Sequence, residues 1–384
     1  MSLNETPGAN RIHIGFYGKR NSGKSSLINA FTGHQVAIVS DVAGTTTDPV
    51  CKPMEVHGIG PCVFIDTAGV DDVGELGKMR VEKTVKAAEK TDIAVLLFSG
   101  EEYQAELEWF HYFKEKHTPT LCVLSKADTL TDSDSTAAQL KKETKQEILV
   151  ISSKNKKDIE KFKEELIRLV PDDYGEETIT GALVEEGDLV LLVMPQDIQA
   201  PKGRLILPQV QTIRDLLDHK CLVMSCTTDK LEDTLAALPP KLFITDSQVF
   251  RTVYDKKPQE SLLTSFSVLF AEYKGDFAYY KESAAAISSL TEESKVLIAE
   301  CCTHAPLKED IGREKIPNML RKRIGAGLTV DIVSGTDFPK DLSNYDLIIQ
   351  CGACMFNKKY VMTRIERAKE QKVPMSNYGV AIAY

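Results

Sequence analysis

The sequence predicts an α/β chain of three successive units, and three observations carry that expectation. Short apolar runs alternate with amphipathic stretches from Ile12 to Val170, the pattern of a parallel sheet covered by helices. An acidic, glycine-containing stretch over 171–187 then interrupts the alternation, and the alternation resumes twice beyond it. With 384 residues and roughly 150 residues per domain, two or three domains are expected. The boundaries are placed at 1–172, 173–262 and 263–384.

Strands are expected at Ile12–Tyr17, 61–65, Ile93–Phe98, Thr120–Leu124 and 147–151, most of them ending in Gly, Ser, Asp or Thr. Helices are expected over 25–32, 78–90 and 105–116. A lysine-rich helix over 154–170 stops before Pro171, which cannot extend it. After the linker, runs at 189–194, 207–217, 220–225 and 242–244 form the second unit. A third begins near Ser261, with strand-like runs at 267–271, 296–300, 329–332 and Leu347–Gln350. No low-complexity segment or fixed-period repeat stands out.

Composition narrows the function. Lys plus Arg is 47 against 56 Asp plus Glu, a net charge of −9, which argues against a nucleic-acid partner. No run approaches the roughly 18 apolar residues of a membrane span, so no membrane partner is expected. The N-terminal residues lack the basic and apolar regions of a signal peptide, and a cytoplasmic location follows as an expectation. Nine cysteines in a reducing compartment do not read as a disulfide framework. Cys51, Cys62, Cys122, Cys221 and Cys226 are scattered, mostly in apolar surroundings, where a thiol behaves as a small buried hydrophobe. Cys301, Cys302, Cys351 and Cys354 form two tight pairs and invite a chemical reading.

Residues 18–25, Gly-Lys-Arg-Asn-Ser-Gly-Lys-Ser, follow a strand and open a helix. This is the phosphate-loop pattern, in which backbone N–H groups from Gly18 to Ser26, Ser22 and Gly23 among them, close around phosphates at a helix N-terminus. Lys24 reaches the β- and γ-phosphates and Ser25 holds Mg²⁺. A glycine turn with an incidental lysine is the plain alternative, and the strand–helix context argues against it. Asp66 and Gly69, after the second strand, suit the Mg²⁺ shell and the γ-phosphate. Thr45 and Thr46 lie in a polar stretch between, with Thr46 the hydroxyl assigned to complete the metal shell. Lys126 and Asp128 follow the strand Thr120–Leu124, where a carboxylate can accept two hydrogen bonds from guanine that adenine does not offer. Ser153, after a further strand, can close over the base.

Residues 11–170 resemble the translation-factor-class GTPases, the TrmE/Era group above all. The shared motifs are the loop with Asn21, Gly44-Thr45-Thr46, and Asp66-Thr67-Ala68-Gly69. The resemblance implies GTP and Mg²⁺ as cofactors, and K⁺ held by Asn21 near the β–γ bridge, hence slow, K⁺-stimulated hydrolysis with Lys24, Asn21 and Thr46 as catalytic residues. Two departures stand out. Ser125 occupies the Asn position of Asn-Lys-x-Asp, which loosens the base contact. Val70 stands where Ras-like enzymes carry a water-orienting Gln; Asp71, Asp72 and Glu75 are the nearby carboxylates.

Cys301-Cys302-Thr303-His304 and Cys351-Gly352-Ala353-Cys354 each follow a strand-like run, and parallel sheets bind ligands at such strand ends. Cys351-x-x-Cys354 spacing serves one metal ion or two corners of a cluster. From the residues alone, a zinc site on Cys302, His304, Cys351 and Cys354 and an iron–sulfur site stay level; buried structural thiols and a redox dithiol are further alternatives.

The full set of motifs, in this order along the chain, resembles the HydF family, the GTPases that mature FeFe-hydrogenase. Its pattern is Cys-x-His, a long gap, then His-Cys-x-x-Cys; here Gln350 replaces the second His. The resemblance implies three ligands to a 4Fe–4S cluster, Cys302, Cys351 and Cys354, with His304 a candidate for the remaining iron and Cys301 a neighbour. It implies a P-loop GTPase domain followed by a small α/β dimerisation domain and a C-terminal α/β iron–sulfur domain. It further implies a scaffold that takes up a transient di-iron precursor made with radical-SAM maturases, delivers it to apo FeFe-hydrogenase, and forms a homodimer through residues 180–262. The competing readings are an RNA- or ribosome-associated GTPase with a structural zinc domain and a GTP-gated redox sensor.

Overall fold

The structure, a computed structural model, describes residues 8–33, 49–69, 75–100, 102–171, 174, 178–195, 205–236, 239–301 and 311–384. The chain divides into two compact units, Met1–Tyr174 and Gly175–Tyr384.

In the first unit β1 (Ile12–Tyr17) leads into α1 (Lys24–Thr32), and the hairpin of β2 (Val50–Val56) and β3 (Gly60–Asp66) follows. Then come α2 (Glu75–Ala88), β4 (Ile93–Phe98), α3 (Gln104–Glu115), β5 (Thr120–Leu124), α4 (Ser133–Thr144), β6 (Leu149–Val150) and α5 (Lys156–Arg168). The sheet order is β2-β3-β1-β4-β5-β6, parallel except for β2 against β3. Both faces are apolar, as buried parallel strands require. Along β4, Ile93, Val95 and Leu97 enter one core with Ile14, Phe16 and Phe162, while Ala94, Leu96 and Phe98 enter the other with Phe110 and Phe113. Strand β2 was not expected. Its residues are mostly exposed and include Pro53, which an edge strand tolerates. Of the expected strand at 147–151, only Leu149–Val150 pairs.

The second unit holds two four-stranded parallel sheets. The first comprises β7 (Leu189–Val193), α6 (Leu207–Asp218), β8 (Leu222–Cys226), α7 (Leu231–Leu235), β9 (Leu242–Thr245), α8 (Phe250–Lys256) and β10 (Leu262–Ser265). Its strand order is β10-β9-β7-β8. Helices α9 (Phe266–Lys274) and α10 (Phe277–Ala284) lead to β11 (Lys295–Ala299), α11 (Ile316–Ile324), β12 (Thr329–Val333), β13 (Leu347–Gln350), α12 (Lys358–Glu370), β14 (Met375–Asn377) and α13 (Tyr378–Ala383). The strands of this last sheet run β12-β11-β13-β14.

The expected strand at 267–271 is helix α9. Its apolar run is continuous because it packs on two sides: Phe266, Leu269 and Phe270 belong to the core of the first sheet and Ala271 to that of the second. A helix apolar all round is a buried one, and a short run of this kind does not distinguish helix from strand. The expected boundary at 262/263 cuts β10, whose residues Leu262–Ser265 pair in register with Leu242–Thr245 of β9.

Each of the three sheets has a topological switch point, where successive connections leave in opposite directions and open a crevice at the strand ends. The first lies between β3 and β1, the second between β11 and β13, and a third, in the middle sheet, between β9 and β7.

Candidate functional site

At the first switch point the chain turns from Tyr17 through residues 18–23 into α1. Gly18 has φ +147°, and a Cβ there would lie 2.5 Å from the carbonyl oxygen of Leu97, so a side chain has no room. Asn21 and Gly23 adopt left-handed backbone, φ +58° and +94°, which curls the loop. Lys24 is buried, and its Nζ donates to the carbonyls of Gly18 and Lys19, each at 2.8 Å. Ser22 is fully buried, and its Oγ has no hydrogen-bond partner among the described residues. Ser25 Oγ donates to Asp66 Oδ2 at 2.7 Å, while Asp66 Oδ1 is buried without a hydrogen-bond partner among those residues. Burial pushes the Asp66 carboxyl above its usual range, and Ser25 and Lys24 oppose that rise. An orphaned carboxylate oxygen beside a hydroxyl is an oxygen-donor set of the kind that fits hydrated Mg²⁺. The loop's orphaned Ser22 hydroxyl and lysine fit a phosphate.

The base side is organised by residues after β5 and β6. Ser125 Oγ donates to the carbonyl of Ser22 at 2.6 Å and of Phe98 at 3.1 Å. The residue read as a loosened base contact is thus a tether between the end of β5 and the phosphate loop. Lys126 is left-handed, φ +56°, and its stem covers Gly23, where a Cβ would lie 3.9 Å from Lys126 Cε. Asp128 accepts from Ser152 Oγ at 2.8 Å and Lys154 Nζ at 2.7 Å. These two bonds, that of Lys154 foremost, hold its carboxyl below the usual range. Ser153 is half-buried next to that pair, and Ser26 sits half-buried in the first turn of α1. Glu106, missed in the sequence, is fully buried and accepts the Lys19 N–H at 3.1 Å. Its only sequence signal is an acidic residue in the first turn of an amphipathic helix. Thr45, Thr46, Val70, Asp71 and Asp72 lie outside the described residues, Gly69 is the last described before the second gap, and Glu75 opens α2.

At the second switch point Ala299 pairs with Gln350, and the Cys351 N–H donates to the Ala299 carbonyl at 3.1 Å. This places the residues after β11 beside those after β13. The Cys301 N–H donates to Cys351 Sγ at 3.1 Å. The thiol of Cys301 also hydrogen-bonds to Cys351 and lowers the Cys351 pKa, whereas burial raises that of Cys301. Ala353, φ +51°, turns the chain between Cys351 and Cys354. Lys274 is buried beneath this turn. Its Nζ donates to the carbonyls of Phe356 at 2.8 Å, Cys354 at 3.3 Å and Ala353 at 3.4 Å. Burial pushes it down to about 8, opposed by the thiols of Cys354, Cys301 and Cys351.

Gln350 is fully buried; its Oε1 accepts from Arg364 Nη1 and its Nε2 donates to the Tyr280 hydroxyl, each at 3.4 Å. Position 350 therefore presents its side chain to the core. Cys302 and His304 lie outside the described residues. Among the described residues no group of three or more His, Cys, Asp or Glu gathers to hold a metal; these residues contribute Cys351 and Cys354.

A family model described as the hydrogen maturase F dimerization domain matches residues 179–275, and one described as its tetramerization domain matches residues 278–384. The chain belongs to the hydrogen maturase F family. Its first unit is a P-loop GTPase domain, and residues 13–126 match a model described as a 50S ribosome-binding GTPase. The chain is similar to GTPase Der of Wolinella succinogenes, 46% identical over 98 residues, or 25% of this chain and 20% of the relative. It is also similar to the tRNA modification GTPase MnmE of Flavobacterium johnsoniae, 33% identical over 169 residues, or 42% of this chain and 36% of the relative. The chain thus spans well under half the length of these curated relatives. A structure of Era from Aquifex aeolicus bound to GDP.AlF4⁻ aligns with TM-score 0.38 and 17% identity over 58% of this chain and 97% of that one.

The matched models are described as dimerization and tetramerization domains, where the sequence reading expects a homodimer. The two sheets have four edge strands, β8 and β10 of one and β12 and β14 of the other. Strand β8 ends its sheet and carries Leu222, 61% exposed; β12 ends the other and carries Ile332, 37% exposed. No helix among the described residues is long and apolar enough to cross a membrane. The described half of the cysteine site fits a thiolate-bound metal group. Cys351 has a lowered pKa and a backbone N–H on its sulfur, the kind of hydrogen bond that tunes cluster thiolates, and a buried lysine lies beneath the turn.

Proposed function

We propose that this chain is a GTP-controlled scaffold that receives a di-iron precursor and delivers it to apo FeFe-hydrogenase. The observation that supports it best is the second switch point, where the elements carrying Cys301 and Cys351 lie side by side, within a chain that also carries a GTPase domain and both maturase domains. Cys302, Cys351 and Cys354 would hold a 4Fe–4S cluster, with His304 a candidate at its remaining iron. When bound, the cluster supplies an iron whose fourth ligand can exchange. Lys274 orients the turn between two of the ligands, and the Cys301 N–H fixes the sulfur of Cys351.

In the GTPase domain Lys24 and the N–H groups of Gly18, Asn21, Ser22, Gly23 and Ser26 bind the phosphates. Ser25, Thr46 and Asp66 hold Mg²⁺, Thr45 and Gly69 approach the γ-phosphate, and Lys126, Asp128 and Ser153 hold guanine. Hydrolysis is slow and stimulated by K⁺ at Asn21, with Lys24 and Thr46 completing the catalytic group. Ordering of the segments around Thr46 and Gly69 by γ-phosphate and Mg²⁺ would time partner association. The partners are the apo-hydrogenase, the radical-SAM maturases and further copies of this chain, in the cytoplasm. The domains divide at 1–172, 173–262 and 263–384, the last division falling within β10.

Anaerobic reconstitution of wild type beside Cys302→Ala tests the reading, scored by iron content and by hydrogenase activation. Wild type takes up about four irons per chain and activates; the variant does neither. A variant that keeps the cluster and activates as well as wild type overturns the ligand assignment, and equal GTP turnover in Na⁺ and K⁺ overturns the role of Asn21. The match to a 50S ribosome-binding GTPase favours a second reading, an RNA- or ribosome-associated GTPase with a structural zinc; one zinc and no iron in the purified protein would select it.

A further inference from the structure

Two cations are buried at the cysteine turn with no carboxylate partner among the described residues. Lys274, the last residue of α9, is 2% exposed, and its three carbonyl acceptors match the three N–H bonds of an ammonium. Arg364 on α12 is 1% exposed. Its Nη1 reaches Gln350 Oε1 at 3.4 Å and Cys301 Sγ at 3.8 Å, and the rings of Phe338, Phe356 and Tyr360 face its guanidinium at 4.8–4.9 Å. Neither cation has an Asp or Glu partner in any ion pair of the described residues. Carbonyl dipoles and ring faces soften the burial of a charge, but a full counter-charge is the usual requirement. Among the described residues, the sulfurs of Cys354, Cys301 and Cys351 lie near enough to Lys274 to act on its charge.

We propose that Lys274 is a positioning residue of the cysteine site and its built-in counter-charge, stabilising negative charge on the iron–sulfur group that Cys351 and Cys354 hold. The proposal rests on the cluster reading above. The ammonium ties three carbonyls of residues 353–356 into one orientation, which sets the spacing of the two sulfurs. It also favours the form of the group with one more electron, because a buried positive charge nearby stabilises added negative charge. Removing the charge therefore lowers the reduction potential. Helix α9 fixes the lysine from outside the turn, since its earlier residues Phe266, Leu269 and Phe270 are anchored in the core of the other sheet.

The test uses the full chain, reconstituted anaerobically with ferrous iron and sulfide, as wild type, Lys274→Met, Lys274→Gln and Lys274→Arg. Dithionite donates the single electron, no bond or proton is exchanged, and the reduced cluster is followed by electron paramagnetic resonance. Wild type and Lys274→Arg share one potential. In Lys274→Met and Lys274→Gln the equilibrium constant for reduction falls at least about tenfold, a shift of about 59 mV for one electron. Loss of iron from Met and Gln with retention in Arg equally supports the proposal, because only the charge separates them. Identical behaviour of all three variants, whether at the wild-type potential or without a cluster, overturns it. A wild type that binds no iron overturns the cluster reading itself, and this proposal with it.

Discussion

Replacing Ser125 by Ala tests whether the tether between β5 and the phosphate loop is used in binding nucleotide. The hydroxyl donates to two buried carbonyls, at 2.6 Å to Ser22 and 3.1 Å to Phe98. The Phe98 carbonyl keeps a second donor, the Ser125 N–H at 2.9 Å, so its loss is small. The Ser22 carbonyl loses its short bond from the hydroxyl, and leaving such a group unsatisfied costs about 1–3 kcal/mol. That strain falls on the loop that must hold the phosphates. If about 1.4 kcal/mol of it is felt in binding, the GTP dissociation constant rises about tenfold. Equilibrium titration with a fluorescent GTP analogue measures this, and Ser125→Thr, which keeps the hydroxyl, should stay near wild type. An unchanged dissociation constant in Ser125→Ala would refute the tether as a binding element.

Three further outcomes are expected. Asp128→Ala, which removes the carboxylate held by Ser152 and Lys154, should lower the preference for GTP over ATP by more than about tenfold; competition binding reads this directly. Leu222→Lys puts a charge on an exposed apolar residue of edge strand β8. Burying a leucine in an interface contributes about 1.5–3 kcal/mol, so the change should weaken self-association at least about tenfold, and sedimentation equilibrium at unchanged mass would count against an interface on β8. Asp276 accepts the Tyr279 N–H at 2.9 Å and Lys369 Nζ at 2.6 Å, and Lys369 foremost holds its carboxyl below the usual range. A depressed folded pKa means stability present above an unfolded value near about 3.9 and lost as pH falls through the lower folded one. Asp276→Asn keeps the helix cap but removes the titration, so its urea unfolding free energy should decline less steeply than wild type's below that pH.

The nucleotide site was legible because phosphate chemistry restricts both residue type and place. Gly18, Lys24, Ser25 and Asp128 come after a strand and Asp66 ends one, and each strand is an apolar run with a polar end. The two cysteine-bearing strand ends were legible for the same reason. What escaped depended on contacts between distant segments. Ser125 reads as a missing asparagine until its hydroxyl is seen 2.6 Å from the Ser22 carbonyl, 103 positions away in sequence. Lys274 stands just beyond a run that reads as a strand, and nothing local shows that residues 353–356 cover it. Arg364 looks like one more basic residue of α12, although it is the largest of the fully buried side chains. The run at 267–271 misled because two-sided burial erases the amphipathic period that marks a surface helix. Strand β2 escaped because its burial is slight along most of its length.

Helix α9 is nine residues long, about 14 Å at 1.5 Å per residue, and it is continuous from Phe266 to Lys274. A rod that short does not bend appreciably. One end of it packs in the core of the sheet containing Leu222 and the other holds the carbonyls of residues 353–356. If copies of the chain assemble on β8, α9 joins the core of that sheet to the cysteine turn, and a change that loosens one should be read out at the other.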